Sequence, residues 1–252
     1  MSAMPSFDLT GKVALVTGGS RGLGRAIVGG LAAAGADVVI ASRKLESCEE
    51  LAAEVERETG RRALPVACHV GRWDDLERLV ETVYGEWGRV DVLVNNAGMS
   101  PVYDSLADVG EELWDKVLNV NLRGPFRLAV LVGERMAAGD GGSIVNVSSA
   151  VSYRPTPDVL PYAAAKAGVN AITHGLAHAF GPKVRVNAVV PGTFLTDVAR
   201  HWDPDWFAGV AETFALKRGG EPEEIVGAVL YFAAAASSYT TGALLDVDGG
   251  WS

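Results

Sequence analysis

Cysteine is scarce: Cys48 and Cys68 are the only two in 252 residues. That excludes a disulfide framework, and neither lies in a Cys-x-x-Cys or Cys/His spacing suited to a metal. Both read as buried or helix-surface thiols. No run of about 18 uninterrupted apolar residues occurs, so no membrane span is expected. The first residues, MSAMPSFDLTGK, lack a basic start followed by an apolar stretch. No export leader is therefore expected, and the cytoplasm is the default compartment. Positive charge is in deficit: 22 Lys and Arg against 31 Asp and Glu give a net charge of -9. No block of like charges stands out, so the acidity belongs to a solvated surface. Such a chain repels nucleic acid and anionic membranes, and neither is expected as a partner. Also missing are a linker, a composition break and a clear repeat, which predicts one domain over residues 1–252.

What is present is a chain able to bury a full core, with 48% hydrophobic and 21% charged residues. Short apolar runs at 13–17, 37–41, 63–67, 91–95, 143–148, 184–190 and 243–247 read as strands. Several are near-continuous Val, Ile, Leu and Ala, as suits strands covered on both faces. Helical patterns at 24–34, 46–59, 74–87, 111–137 and 161–180 lie between them, with another near 223–236. This alternation predicts an α/β fold, a doubly wound parallel sheet of about seven strands with helices on both faces. In such sheets ligands bind beyond the carboxyl ends of the strands, so the loops there should hold the chemistry.

The first strand runs into Thr17-Gly18-Gly19-Ser20-Arg21-Gly22-Leu23-Gly24, and a helical pattern begins at once. Glycines at 18, 22 and 24 permit a tight turn, and free N–H groups at a helix start can face a pyrophosphate. A glycine trio alone is weak, but its place between first strand and first helix is the required context. The second strand ends Ile40-Ala41-Ser42-Arg43-Lys44. An acidic residue there would bind a free ribose 2′-hydroxyl; Ser42, Arg43 and Lys44 suit a 2′-phosphate, which Arg43 can grip bidentately. Arg21 adds a second positive charge, so NADP(H) is preferred and NAD(H) remains possible. The plain alternative is that Arg43 merely begins the next helix in solvent.

Tyr162 and Lys166 stand four residues apart, which puts them on one face of a helix. A nearby ammonium would lower the phenol's usual pKa of about 10. A phenol tuned in this way can exchange a proton with a substrate oxygen. By itself this spacing more often marks a surface helix. Its neighbours change that reading: Ser149 follows the strand Ile144-Val145-Asn146-Val147-Ser148, at a carboxyl end. Asn121 lies inside the long helical pattern, where Asn is a poor helix former, and so predicts a local kink or a held water.

Together with Asn95-Asn96-Ala97-Gly98 and Pro191-Gly192, these pieces resemble the short-chain dehydrogenase/reductase family, in order and spacing, from about Leu9 to Gly250. The resemblance implies a Rossmann-like NAD(P)-binding domain and an enzyme acting on CH–OH groups. It gives Tyr162 the general acid/base role, and has Lys166 bind the nicotinamide ribose and lower the Tyr162 pKa. It has Ser149 orient the substrate oxygen and Asn121 hold a relay water. The 13-residue step to Tyr162 favours Ser149 over the competing Ser148, and Asn121 is favoured over Asn119. Gly18, Ser20, Arg21, Gly22, Leu23 and Gly24 would hold the pyrophosphate, and Ser42 and Arg43 the adenosine ribose. Asn96, Ala97 and Gly98 would line the ribose and sheet centre, while Asn95 braces the strands. Pro191, Gly192, Phe194 and Thr196 would cover the nicotinamide. After the third strand the family often has Asp-Val; here His69-Val70 stands, and His69 reads equally as an adenine contact or a plain loop residue.

Residues 193–220 would form a substrate lid. Its Phe194, His201, Trp202, Trp206, Phe207 and Phe214 read either as cover for an apolar substrate or as packing of the lid and an interface. Tyr153 and Met99 are further candidates to face substrate. The resemblance also implies a homotetramer or homodimer, through helices 111–137 and 161–180 and the C-terminal segment 245–252. A carbonyl or alcohol on a small, hydrophobic molecule is the first substrate reading. The chain also resembles 3-oxoacyl-carrier-protein reductases, which would need basic residues at the entrance to dock an acidic carrier. Lys183 and Arg185 are available for that, whereas His178 and Asp140 occupy helix ends where such cations would be expected. A nucleotide-sensing protein without catalysis is the third reading, and the complete Asn121, Ser149, Tyr162 and Lys166 set argues against it.

Overall fold

A computed structural model of the chain describes residues 6–197 and 203–251. β1 (Val13–Thr17), β2 (Asp37–Ser42), β3 (Ala63–Ala67), β4 (Val92–Asn95), β5 (Gly142–Val147), β6 (Val184–Pro191) and β7 (Leu244–Val247) build one sheet. Its order is β3-β2-β1-β4-β5-β6-β7, and every pairing is parallel. The Rossmann-like sheet expected from the sequence is therefore present, with strand ends shifted by a residue at most.

Side chains alternate across this sheet with period two. Ala14, Val16, Val38, Ile40, Val92, Val94, Val145 and Val147 point to one face. There α1 (Gly22–Ala33), α2 (Leu45–Thr59) and α8 (Val226–Ala233) cover them with Ile27, Leu31, Leu51, Val55 and Phe232. Val13, Leu15, Val39, Leu93 and Ile144 point to the other. Leu76, Leu79 and Val83 of α3 (Trp73–Trp87) cover that face with Leu128 and Val132 of α5 (Gly124–Ala138) and Leu176 of α6 (Leu160–Phe180). Such two-sided burial is why the strand sequences are apolar throughout rather than alternating. Among the described residues no helix is long and apolar enough to cross a membrane.

The helix expected over 111–137 is divided. α4 (Glu111–Leu118) passes into a π turn at Asn119–Arg123 before α5 begins. The Gly124 N–H bonds back to the Asn119 carbonyl, five residues earlier. Two causes are visible. The Asn121 amide donates to the Val117 carbonyl at 2.9 Å and to the Met99 carbonyl at 2.8 Å. At Gly124 the helix presses so closely on β3's loop that a Cβ would lie 2.2 Å from the Val70 carbonyl oxygen. The kink read from Asn121 is thus a π turn. A further helix, α7 (Pro204–Ala211), was not foreseen from the sequence.

Polar groups tie the layers where apolar packing alone would not set register. Asn95 Nδ2 donates to Asn146 Oδ1 at 3.0 Å, and Asn146 Nδ2 donates to Thr173 Oγ1 at 2.9 Å. Asn146 and Thr173 are fully buried. This chain of bonds joins β4 to β5 and β5 to α6, and bears out Asn95 as a strand brace. Substituting Asn146→Leu leaves buried partners unmatched and should cost about 1–3 kcal/mol. Thermal denaturation should then show a midpoint several degrees lower; an unshifted midpoint would remove this network from the fold's stability.

Candidate active site

The carboxyl ends of β1, β2, β4, β5 and β6 open onto one edge of the sheet. At β1 the glycine turn is held from beneath. Thr17, fully buried, accepts the Asn96 and Ala97 N–H groups on Oγ1 at 3.1 and 3.2 Å. Asn96 Nδ2 returns bonds to the Thr17 and Gly18 carbonyls at 2.9 and 3.1 Å. Asn96 therefore braces the turn with its side chain rather than offering it to a ligand. A Cβ at Gly24 would lie 2.0 Å from the Gly18 oxygen, so only glycine lets α1 start this close to the strand.

α1 begins after Arg21, whose backbone is extended and whose side chain makes no capping bond, and the first turn holds no acidic residue. The helix N-terminus thus presents N–H groups and the positive end of its dipole with no carboxylate in its own first turn. Ser20 and Ser42 join the turn to the end of β2 through a 3.0 Å hydroxyl contact. Arg21, Arg43 and Lys44 are exposed there and make no ion pair among the described residues. Tight glycine cradle, open helix start and three unpaired cations fit a dinucleotide phosphate better than any neutral ligand. Next to them, Cys68 N–H bonds the Ser42 carbonyl at 2.8 Å, bringing His69 to this edge. His69 Nδ1 accepts the Gly71 N–H at 3.2 Å, which leaves Nε2 for other contacts. Val70 is buried in the core, so its contribution is packing under the loop.

On the other side of the edge, one face of α6 meets the end of β5. Lys166 is buried, and its Nζ donates to the Val147 carbonyl at 2.7 Å, 5.6 Å from the centre of the Tyr162 ring. Burial lowers its pKa to about 8, so the ammonium form still prevails at neutral pH. Tyr162 is partly buried. Desolvation raises its phenol above the ordinary value, and a hydrogen bond with Ser149 opposes the rise. This differs from the expected lowering by Lys166. The ammonium lies over the ring and is held by a backbone carbonyl, so burial of the hydroxyl outweighs it.

Burial separates the two serines and the two asparagines. Ser148 is inaccessible, with its hydroxyl donating to Asn170 Oδ1 at 2.6 Å; Ser149 is partly open and meets Tyr162. Asn119 takes a bond from Arg123 at 3.2 Å on the outer side of its turn. Asn121 points inward, where Oδ1 accepts the Met99 N–H at 3.0 Å. Its two amide hydrogens are engaged by Met99 and Val117, which leaves one Oδ1 lone pair. A Cβ on Gly98 would lie 2.9 Å from that oxygen and 3.8 Å from Lys166 Nζ, so Gly98, Asn121 and Lys166 border a single space.

The segment after β6 crosses above the glycine turn. Pro191 pairs with Val247, and the Gly192 N–H bonds the Val247 carbonyl at 3.0 Å. The Thr196 side chain lies 3.5 Å from where a Gly22 Cβ would be. Leu23 packs on the core below. Phe194 is buried against Gly220 and belongs to the core with Ile27, Val189 and Ile225, and Phe214 is buried in a bridge with Trp251; neither ring is open to a ligand. Phe207 is partly buried. His201 and Trp202 lie outside the described residues, as does the side chain of Trp206. Tyr153 is exposed and Met99 partly so.

Lys183 and Arg185 sit at the amino end of β6, the edge opposite the site. Lys183 donates to the Gly139 carbonyl and Arg185 to Ser237 and the Ala234 carbonyl. They are correspondingly removed from any site entrance. Sequence reasoning missed Thr17 and Asn170, whose roles arise from contacts between distant segments. It also missed Arg154, which follows the Ser149 turn, bonds the Trp251 carbonyl and stacks on that indole at 5.8 Å.

Among known proteins, residues 18–252 match a family model described as enoyl-(acyl carrier protein) reductase. Dehydrogenase/reductase SDR family member 4 of Bos taurus is 42% identical over 245 residues, spanning 96% of this chain and 88% of that protein. The 3-oxoacyl-[acyl-carrier-protein] reductase of Thermotoga maritima is 38% identical over 244 residues, spanning 96% and 98%. A crystal structure of gluconate 5-dehydrogenase from Burkholderia cenocepacia, in complex with NADP and tartrate, superposes with a TM-score of 0.92 at 33% identity, covering 97% of this chain and 96% of that one.

Proposed function

Because this chain belongs to the short-chain dehydrogenase/reductase family, we propose that it transfers a hydride between NADP(H) and the carbonyl or secondary alcohol of a small, hydrophobic molecule. The observation that carries this is the meeting of Tyr162, Ser149 and Lys166 at the carboxyl edge of the sheet that also holds the glycine cradle. When bound, the nicotinamide supplies or accepts the hydride.

In the reductive direction Tyr162 gives its phenolic proton to the substrate oxygen; in the oxidative direction it takes that proton back. A phenol raised by burial stays protonated through neutral pH, which suits it as the acid. Ser149, bonded to the same hydroxyl, orients the substrate oxygen. Lys166 holds the ribose beside it and places a cation where phenolate charge develops. Asn121, with one free lone pair facing Lys166, holds the water that returns protons from solvent.

Residues 18–24 hold the pyrophosphate, Ser42 with Arg43 and Arg21 take a ribose 2′-phosphate, and His69 borders the adenine. Ala97 and Gly98 line the ribose side. Pro191, Gly192 and Thr196 cover the nicotinamide, and the segment 193–220 forms the substrate lid of a single catalytic domain. NADP in the Burkholderia relative supports NADP(H). A second reading, 3-oxoacyl-carrier-protein reduction, is favoured by 38% identity over an alignment that spans 98% of the Thermotoga enzyme. The distance of Lys183 and Arg185 from the site removes the docking cations first considered for it. Following NADPH absorbance with ketones, keto-acyl thioesters, sugars and quinones separates the two. Exposed Trp114, Phe126 and Leu160 on α4, α5 and α6 support self-association as a homotetramer or homodimer, and the cytoplasm is its proposed compartment.

Three outcomes are expected. Tyr162→Phe should keep NADPH binding, read by fluorescence titration, and lose at least about 100-fold in turnover; undiminished turnover rejects its role. Arg43→Asp should invert the preference of NADPH over NADH in the ratio of kcat/KM values, and a wild type already faster with NADH would overturn the charge argument. Light scattering of the purified chain should give four times, or for the dimer twice, its 26.4 kDa mass, and a monomer would refute the assembly.

A further inference from the structure

We propose that Asn170 is a positioning residue for Ser149, an inference that rests on the reading of Ser149 as the group orienting substrate oxygen. α6 reads the end of β5 residue by residue. Tyr162 meets Ser149, Lys166 holds the Val147 carbonyl, and Thr173 holds Asn146. Asn170, one turn beyond Lys166 on the same face, takes the position between them.

Its carboxamide grips both flanks of the Ser149 peptide. Oδ1 accepts the Ser148 hydroxyl at 2.6 Å, and Nδ2 donates to the Ser152 hydroxyl at 2.8 Å. The Ser152 N–H in turn bonds the Ser149 carbonyl at 2.9 Å, closing the short helical turn at Ala150–Ser152. Ser149 itself is in extended conformation, with φ -165° and ψ 150°, and no side chain is seen to cap the turn that follows it. The turn is thus held from one side by a single amide. Only 8% of Asn170 is exposed, on a helix that also buries Lys166, Val169, Thr173 and Leu176. A hydrocarbon of equal size would fill that volume without the need to match two polar atoms. What the amide adds is direction: it sets where the chain leaves β5, and with it the aim of the Ser149 hydroxyl. A misplacement of about 1 Å at a reacting group can cost about 100-fold in rate.

The test is a double-mutant cycle on kcat/KM with direct cofactor binding measured alongside. Asn170→Leu should lower kcat/KM about tenfold, mostly through kcat, while NADPH Kd from fluorescence titration stays as in wild type. In a Ser149→Ala background the same change should cost nothing further, because the hydroxyl it aims is gone. Asn170→Asp, whose oxygens can accept from both serines, should restore most of the activity. Ser152→Ala supplies the same cycle with a milder cavity if the leucine variant does not fold. Equal losses in both backgrounds, or a loss of NADPH binding matching the loss of rate, would reduce Asn170 to a structural residue and overturn the proposal. A Ser149→Ala protein as active as wild type would instead refute the reading of Ser149 itself.

Discussion

The Lys166 ammonium on the Val147 carbonyl is the contact on which the site depends. It buries a cation inside a helix–sheet interface, where charge is costly unless matched. The match is directional: one carbonyl, at the last residue of β5, fixes how far α6 slides along the strand. Tyr162 is one turn earlier and so lands opposite Ser149. Were the helix displaced by a turn, the hydrophobic face would still pack, but phenol and hydroxyl would part. Apolar contacts make α6 adhere to the sheet; polar ones choose its register.

The opposite half of the edge works by a different economy of charge. The chain is acidic overall, yet Arg21, Arg43 and Lys44 gather exposed, and unpaired among the described residues, beside the start of α1. Local repulsion among these cations is tolerated because solvent screens it. An anion arriving there gains attraction that no protein carboxylate has claimed. Thr17 and Asn96 supply the rigidity beneath, joining β1 to β4 so that the glycine backbone need not be ordered on binding.

Much of this was legible in the sequence. Sheet, strand positions and most helices follow from apolar runs buried on both faces. The glycine turn and the Tyr162–Lys166 spacing are local patterns whose geometry is fixed by a turn or a helix. Harder to see was anything set by contacts between remote segments. Asn96 has the look of a ligand contact and is a brace, because its amide finds Thr17 and Gly18. Phe194 reads as cover for a ligand, but Gly220 leaves room for its ring inside. Lys183 and Arg185 are close in sequence to the strand that reaches the site, but a strand eight residues long carries its two ends to opposite edges. The Tyr162 phenol was expected lower because spacing reveals a neighbouring charge and not how deeply the hydroxyl is buried.

The π turn at Asn119–Arg123 amounts to one residue more than a smooth helix would use. Each helical residue advances the azimuth by about 100°. Removing one there would regularise the hydrogen bonds and rotate everything downstream, swinging Leu128, Val132 and Met136 away from the sheet they cover. A deletion scan through this helix should therefore meet its sharpest intolerance where the backbone is least regular. In comparing distant relatives, a one-residue gap placed in this stretch would signal a different helical phase rather than a harmless change of length.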